Sequence, residues 1–394
     1  MIHHRNPPAP VPDAHAPVTM LELFFDLVFV FTVTQVTALI LASPDAVGYG
    51  RAALVLFLIF WSYDAFAYLS NNIPPTDARS SAPLQLAMVG FLVMAIAVPD
   101  AFGADAWIFA VAYLAVIVIH GLAFTRSAMG QSALAIRAIL PFNVGAGLLL
   151  LVAAAVGPEY GWIAWVAAVV LLLGSVIPRG QAAFALRPEH FAERHRLVLI
   201  IALGETIIAI GVSARGDLHH PPVLLTVLAA FALVSALFWV QFGFGDGRRA
   251  VEAMERVGRE DPRRLARLAL WAFAAPYLVL VASLVLVAVA LHDVVHSPSE
   301  ALSWRVAITF GAGVAVYLLG HAFYLRLLRL RSSLALKVGA AAGLLTAAVG
   351  VAVSGLAQLG ALFVVVVVTL LVAARTAHPG RRGEPGYAIG SPDR

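Results

Sequence analysis

The 394-residue chain is 61% hydrophobic and only 12% charged, with a mean hydropathy of +0.90, which leaves too little polar surface to coat a water-soluble globule. Its lack of cysteine excludes disulfides, Cys-ligated zinc, iron–sulfur clusters and a thiol nucleophile. The formal charge of +4 calls for no nucleic acid, because an anionic lipid leaflet is partner enough.

Residues 1–19, rich in Pro and His, lack the charged-then-apolar pattern of a cleaved signal and read as a cytoplasmic tail. Apolar stretches follow at 20–42, 52–70, 83–103, 106–124, 131–156, 160–177, 197–213, 222–244, 265–291, 302–325, 334–354 and 356–374. Most are close to the ~20 residues that a ~30 Å hydrocarbon core requires. They are continuous rather than alternating, and in lipid only helices or closed barrels satisfy the backbone, so the expected fold is an all-α bundle of about twelve transmembrane helices. The run 245–267 reads as a basic surface helix. Residues 376–394, with scattered Gly, Pro and Arg, read as a disordered cytoplasmic tail.

Basic residues fall on alternate sides. The side of the N-terminus holds 22 of the 26, from Arg5, Arg79 and Arg126 through the loops 178–196, 245–267 and 326–337 to the tail; the other side holds Arg51, Arg215 and Arg305, while Arg137 lies within a helix. The positive-inside rule then places both termini in the cytoplasm of a multi-pass inner-membrane protein.

The first six helices, 20–177, resemble the second six, 197–375, joined by a cytoplasmic linker over 178–196. Asp26 precedes the pair Phe60-Trp61 as Glu205 precedes Phe238-Trp239, and Tyr113 with His120 recurs as Tyr317 with His321. An even number of helices per unit predicts two parallel repeats related by an axis along the membrane normal.

Charges at bilayer depth are costly and mark candidate sites. Glu22 and Asp26 lie four apart, on one face of the first helix. Thr19 followed by Glu22 also fits a capping box, which would give Glu22 a structural role. Asp26, a turn deeper, is a substrate- or proton-binding candidate, with structural pairing to Arg137 as the alternative. Glu205, in mid-helix beside Gly204, is the strongest candidate. Asp64, His120, His321 and Arg137 complete the set, each with a bland reading as a snorkelling or hydrogen-bonded core residue, and Arg137 could also neutralise one of the acids. Trp61, Trp239, Phe60 and Phe238 are candidate cavity-lining residues. The run Pro188 to Arg196 reads as a solvated face or as a gate carried by Glu193 and Arg194. The spacings of His and acids point to no metal and no cofactor.

The string Leu21-Glu22-Leu23-Phe24-Phe25-Asp26-Leu27-Val28-Phe29-Val30-Phe31, with Glu193-Arg194 and Leu203-Gly204-Glu205, resembles the bacterial low temperature requirement A family over about residues 18–375. The resemblance implies an integral membrane protein, with Glu22, Asp26, Glu193, Arg194 and Glu205 at the motif positions, and brings no established role for them.

Two functions from different classes fit these residues. One is a secondary transporter, proton-coupled through the intramembrane acids, consistent with the absence of a P-loop string. The alternative is an intramembrane enzyme doing acid–base chemistry on a lipid or isoprenoid, its aromatic residues stabilising cationic intermediates. Either takes a small-molecule or lipid substrate, with the lipid bilayer as the other partner.

Overall fold

The computed structural model describes residues 18–127, 131–175, 186–215, 218–330 and 333–377. The chain is all-helical over these residues, with no strand among them. In order, the helices are α1 Met20–Ala42, α2 Ala46–Asn72, α3 Ala78–Ala97, α4 Ala106–Ser127, α5 Gln131–Val156, α6 Gly161–Ser175, α7 Pro188–Ser213, α8 Pro221–Phe242, α9 Asp246–Glu260, α10 Pro262–Ala269, α11 Ala275–His296, α12 Trp304–Leu327, α13 Leu334–Leu345, α14 Ala347–Ala352 and α15 Gly355–Ala377. Eleven described segments are long and apolar enough to cross a membrane; α6 is a shorter apolar helix.

Local chemistry sets the helix starts. Thr19 and Glu22 form the expected reciprocal capping box at α1, and the side chains of Asp45, Asp77 and Ser303 cap α2, α3 and α12. Proline opens α7, α8 and α10, where its missing N–H removes no helical bond. A single π turn, Leu270–Ala274, runs from α10 into α11, and Gly245 supplies the left-handed φ of +68° at the corner between α8 and the surface helix α9.

The α7 boundary departs from expectation. The helix begins at Pro188 rather than at 197, so the run read as a solvated linker is the first part of a buried helix. His190, Phe191, Arg194, His195, Val198, Leu199 and Ala202 all lie on its inner face, the 3.6-residue stripe of an amphipathic helix.

Packing follows one pattern in each half. α1 packs on α2 and α3, α3 on α4, α4 on α5 and α5 on α6; α7 packs on α8 and α11, α11 on α12, α12 on α13 and α13 on α15. The halves meet where α1 lies against α7 and α11.

Candidate functional site

Glu22 and Asp26 sit one turn apart on α1, pointing inward, and each is fully buried. Their partners come from α7. Arg194, itself fully buried, donates from Nη1 to Glu22 Oε1 at 3.1 Å and from Nη2 to Asp26 Oδ1 at 2.6 Å. His190 Nε2 lies 3.2 Å from Glu22 Oε1. From α2, the Tyr63 hydroxyl donates to Asp26 Oδ1 at 3.0 Å, and Ser70 Oγ accepts from Arg194 Nη1 at 3.0 Å. The rings of Phe25 and Tyr63 flank the guanidinium, each centroid 5.7 Å from its central carbon, a range in which the ring quadrupole attracts a cation. Two atoms inside this cluster, Asp26 Oδ2 and Arg194 Nε, are buried with no hydrogen-bond partner.

The end of α2 clasps the start of α7. Asn71 exchanges two bonds with the backbone of Arg187, at 2.9 and 3.0 Å, and the Arg187 side chain donates from Nε to the Asn71 carbonyl at 2.8 Å. Beside the central cluster, His195 lies between two acceptors, the Phe191 carbonyl at 2.9 Å and Asp64 Oδ1 at 3.0 Å. Both imidazole nitrogens thus face oxygen atoms.

A second polar chain leads away through the other half. The His195 ring packs on Tyr277 at 5.4 Å. Gln241 Nε2 donates to the Tyr277 hydroxyl at 3.1 Å, its Oε1 lies 2.6 Å from His321 Nδ1, and His321 Nε2 lies 3.6 Å from Asp246 Oδ2 at the head of α9.

Glu205 stands apart from the cluster. It is half-buried on α7, and its Oε1 accepts from Thr34 Oγ1 of α1 at 2.6 Å. Asp26 meets Arg194 near the helix starts while Glu205 meets Thr34 farther along both chains, so α1 and α7 run parallel. The alignment of Asp26 with Glu205 is therefore not one of equal depth. Asp26 is level with Arg194, and Glu205 lies about three turns deeper, by eleven residues of α7.

The remaining expected residues scatter. His120 is buried, its Nε2 3.0 Å from the Ala65 carbonyl on α2. Arg137 is exposed on α5, and the alternative reading that pairs Asp26 with Arg137 gives way to the pairing with Arg194. Glu193 is half-buried, on a different face of α7 from the inward Arg194. Phe60 is buried against Phe29, and Trp61 donates its indole N–H to Asn143 of α5 at 2.9 Å. Phe238 and Trp239 are 36% and 58% exposed on α8, so the four aromatics do not converge on one cavity. Among the described residues, no three His, Asp or Glu side chains are grouped to hold a metal ion. At the opposite end of the bundle from the cluster, a cleft of about 180 Å³ is lined by residues including Tyr49, His292, Asp293, Arg305 and Thr309.

The acids, Arg194 and the glycine–glutamate pair thus occupy one helix interface, within the stretch that a comparison with known families matches. A family model described as the bacterial low temperature requirement A protein (LtrA) matches residues 17–374. The chain belongs to the LtrA family. An uncharacterised protein of Rhizobium meliloti (strain 1021) is 27% identical over 314 residues, covering 76% of this chain and 75% of its own. The match to the LtrA model spans the helices from α1 to nearly the end of α15 and so includes every residue of the α1–α7 interface described above.

Sequence reasoning missed Tyr63, Ser70, Asn71, Arg187, His190 and His195. The signal was present for the last two, since His190, Arg194, Val198 and Ala202, and beside them Phe191, His195 and Leu199, recur at four-residue spacing directly after Pro188. Tyr63 and Ser70 carry no comparable mark.

Proposed function

We propose that this LtrA-family protein is a secondary transporter whose α1–α7 cluster holds and releases a proton as substrate moves. The carrying observation is a charge count. Glu22 and Asp26 share the one fully buried guanidinium, that of Arg194, which keeps its proton, and all three side chains are removed from solvent, while the half-buried Arg187 acts on Glu22 only from the edge of the cluster. An unbalanced negative charge at this depth costs several kcal/mol. One proton bound within the cluster cancels it, and Oδ2 of Asp26, which has no hydrogen-bond partner among the described residues, offers a place for it.

The position of the cluster supports the same reading. It lies between the first helix of each six-helix unit, where rocking of one unit against the other would make and break the Arg194 contacts. We read the duplicated packing order, the parallel run of α1 and α7 and the matching contacts of His120 on α2 and His321 on α8 as favouring two repeats and twelve crossings, with α6 as the sixth. An odd number of crossings between α1 and α7, the five helices α2 to α6, is what a parallel pair requires. The excess of basic residues on the side of the N-terminus supports cytoplasmic termini, so the cluster would face the cytoplasm and the cleft at Tyr49 and Thr309 the outside. The enzyme reading loses its main support, because the aromatic residues that would shelter a cationic intermediate lie apart.

Mass spectrometry of cells and medium tests the proposal, comparing a strain lacking the gene with strains expressing wild type, Asp26→Asn or Glu22→Gln at matched levels. Transport predicts an unchanged compound that shifts between cell and medium with wild type alone. A new mass produced by wild type would instead favour the enzyme.

A further inference from the structure

Glu205 is the one acid of the α1–α7 interface that the buried cluster does not absorb, and its surroundings differ from those of Glu22 and Asp26. Its own helix face turns outward: Ile208, one turn on, is 60% exposed and Val212 is 52% exposed. On α1 the neighbouring face does the same, with Leu27 at 55% and Phe31 at 36% leading to Thr34. A side chain added at Gly204 would meet nothing within 4 Å, so α7 is also unpacked on the face adjoining Glu205. Glu205 therefore sits in a seam between two helices, open to the hydrocarbon of the bilayer, with the Thr34 hydroxyl on one oxygen. Among the described residues no basic side chain forms an ion pair with it.

A carboxylate facing hydrocarbon is stabilised by a cation brought to it, and a ligand that reaches it laterally must itself dissolve in the bilayer. We propose that Glu205 and Thr34 form a binding site for lipophilic cations, amphiphiles with an ammonium or phosphonium centre and apolar substituents. The carboxylate supplies charge, the Thr34 hydroxyl fixes its orientation, and the exposed Phe31 ring offers a face to the cation. The site names a substrate class for the transport reading and rests on that reading only for movement of the ligand, not for binding.

Equilibrium binding of radiolabelled tetraphenylphosphonium to the full chain in nanodiscs tests it. Wild type is expected to bind saturably and to be unaffected by neutral tetraphenylmethane. Glu205→Gln should weaken binding at least tenfold, Thr34→Val by several-fold, and Glu205→Asp, which keeps the charge, should bind measurably better than Glu205→Gln. Binding by Glu205→Gln equal to wild type, displacement by the neutral analogue, or no saturable binding by wild type would overturn the site. Uptake into sealed vesicles separates the two claims. Glu205-dependent binding without movement would leave the site standing and count against transport, whereas movement of the probe that is indifferent to Glu205→Gln would count against the site alone.

Discussion

Arg194 satisfies two carboxylates that lie four residues apart, and each member of that triad is held by more than one contact. Removing one partner from a buried ion pair typically costs about 3–5 kcal/mol, because the other charge is left uncompensated. Asp26→Asn should therefore lower the thermal midpoint clearly, and a double variant with Arg194→Gln should lose less than the sum of the single changes. A double-mutant cycle on the purified protein measures this coupling. Glu22 carries two roles that substitutions can separate. Glutamine also completes a capping box, so Glu22→Gln should keep the α1 cap yet abolish transport. Thr19→Ala should do the reverse, losing about 1 kcal/mol of stability with transport retained; equal transport defects in both variants would contradict the division. That Glu22 caps α1 was legible from Thr19 alone, since capping is local. That Asp26 pairs with Arg194 rather than with Arg137 was not, because the two residues are 168 positions apart and only the packing of α1 on α7 brings them together.

The helices were legible wherever lipid dictates their composition, and α1, α5 and α15 begin and end close to the hydropathy boundaries. The failure at α7 has a physical cause. Its first turns carry His190, Arg194 and His195, which lower hydropathy below that of a span although each is buried against acids of another helix. Periodicity records such a stripe better than hydropathy does. Two helix-level predictions follow from close contacts and caps. A Cβ on Gly311 of α12 would lie 2.8 Å from the Gly343 carbonyl of α13, so Gly311→Ala should force these helices apart at a cost of about 1–3 kcal/mol, read as a lower thermal midpoint. At α3, the Ser80 amide and hydroxyl donate to the exposed Asp77 carboxylate and hold it below its ordinary range of 3.8. A lowered folded-state value means that the cap is fully present above pH 3.8 and is lost as the pH falls through the lower, folded value. Protection of the Ser80 and Ser81 amides against exchange, relative to the free-peptide rate at each pH, should fall only in that acidic window, and Asp77→Ala should show the lower protection at every pH.

Across the whole molecule, composition alone gave the membrane, the all-helical class and an approximate number of spans, because a bilayer leaves few alternatives. It also suggested a duplication that aligns Asp26 with Glu205, whereas Asp26 lies level with Arg194. The polar chain from Asp64 through His195, Tyr277, Gln241 and His321 to Asp246 was largely hidden, since its members come from six helices and none forms a local motif. Orientation yields a direct prediction, helped by the absence of native cysteine. Glu252→Cys on α9 should resist a membrane-impermeant maleimide in intact cells and react after permeabilisation, while Glu300→Cys, between α11 and α12, should react in intact cells. The opposite labelling pattern would invert the topology and place the Glu22–Asp26–Arg194 cluster toward the outside.

The most direct measurement loads everted membrane vesicles with buffer, presents a small-molecule extract of the host cell outside, and follows by mass spectrometry which compounds enter under an imposed pH gradient. The α1–α7 cluster as a proton-coupled site predicts a compound that accumulates with wild type, stops accumulating when the gradient is collapsed, and does not accumulate with folded Asp26→Asn. Equal accumulation with Asp26→Asn, or accumulation indifferent to the gradient, would contradict it.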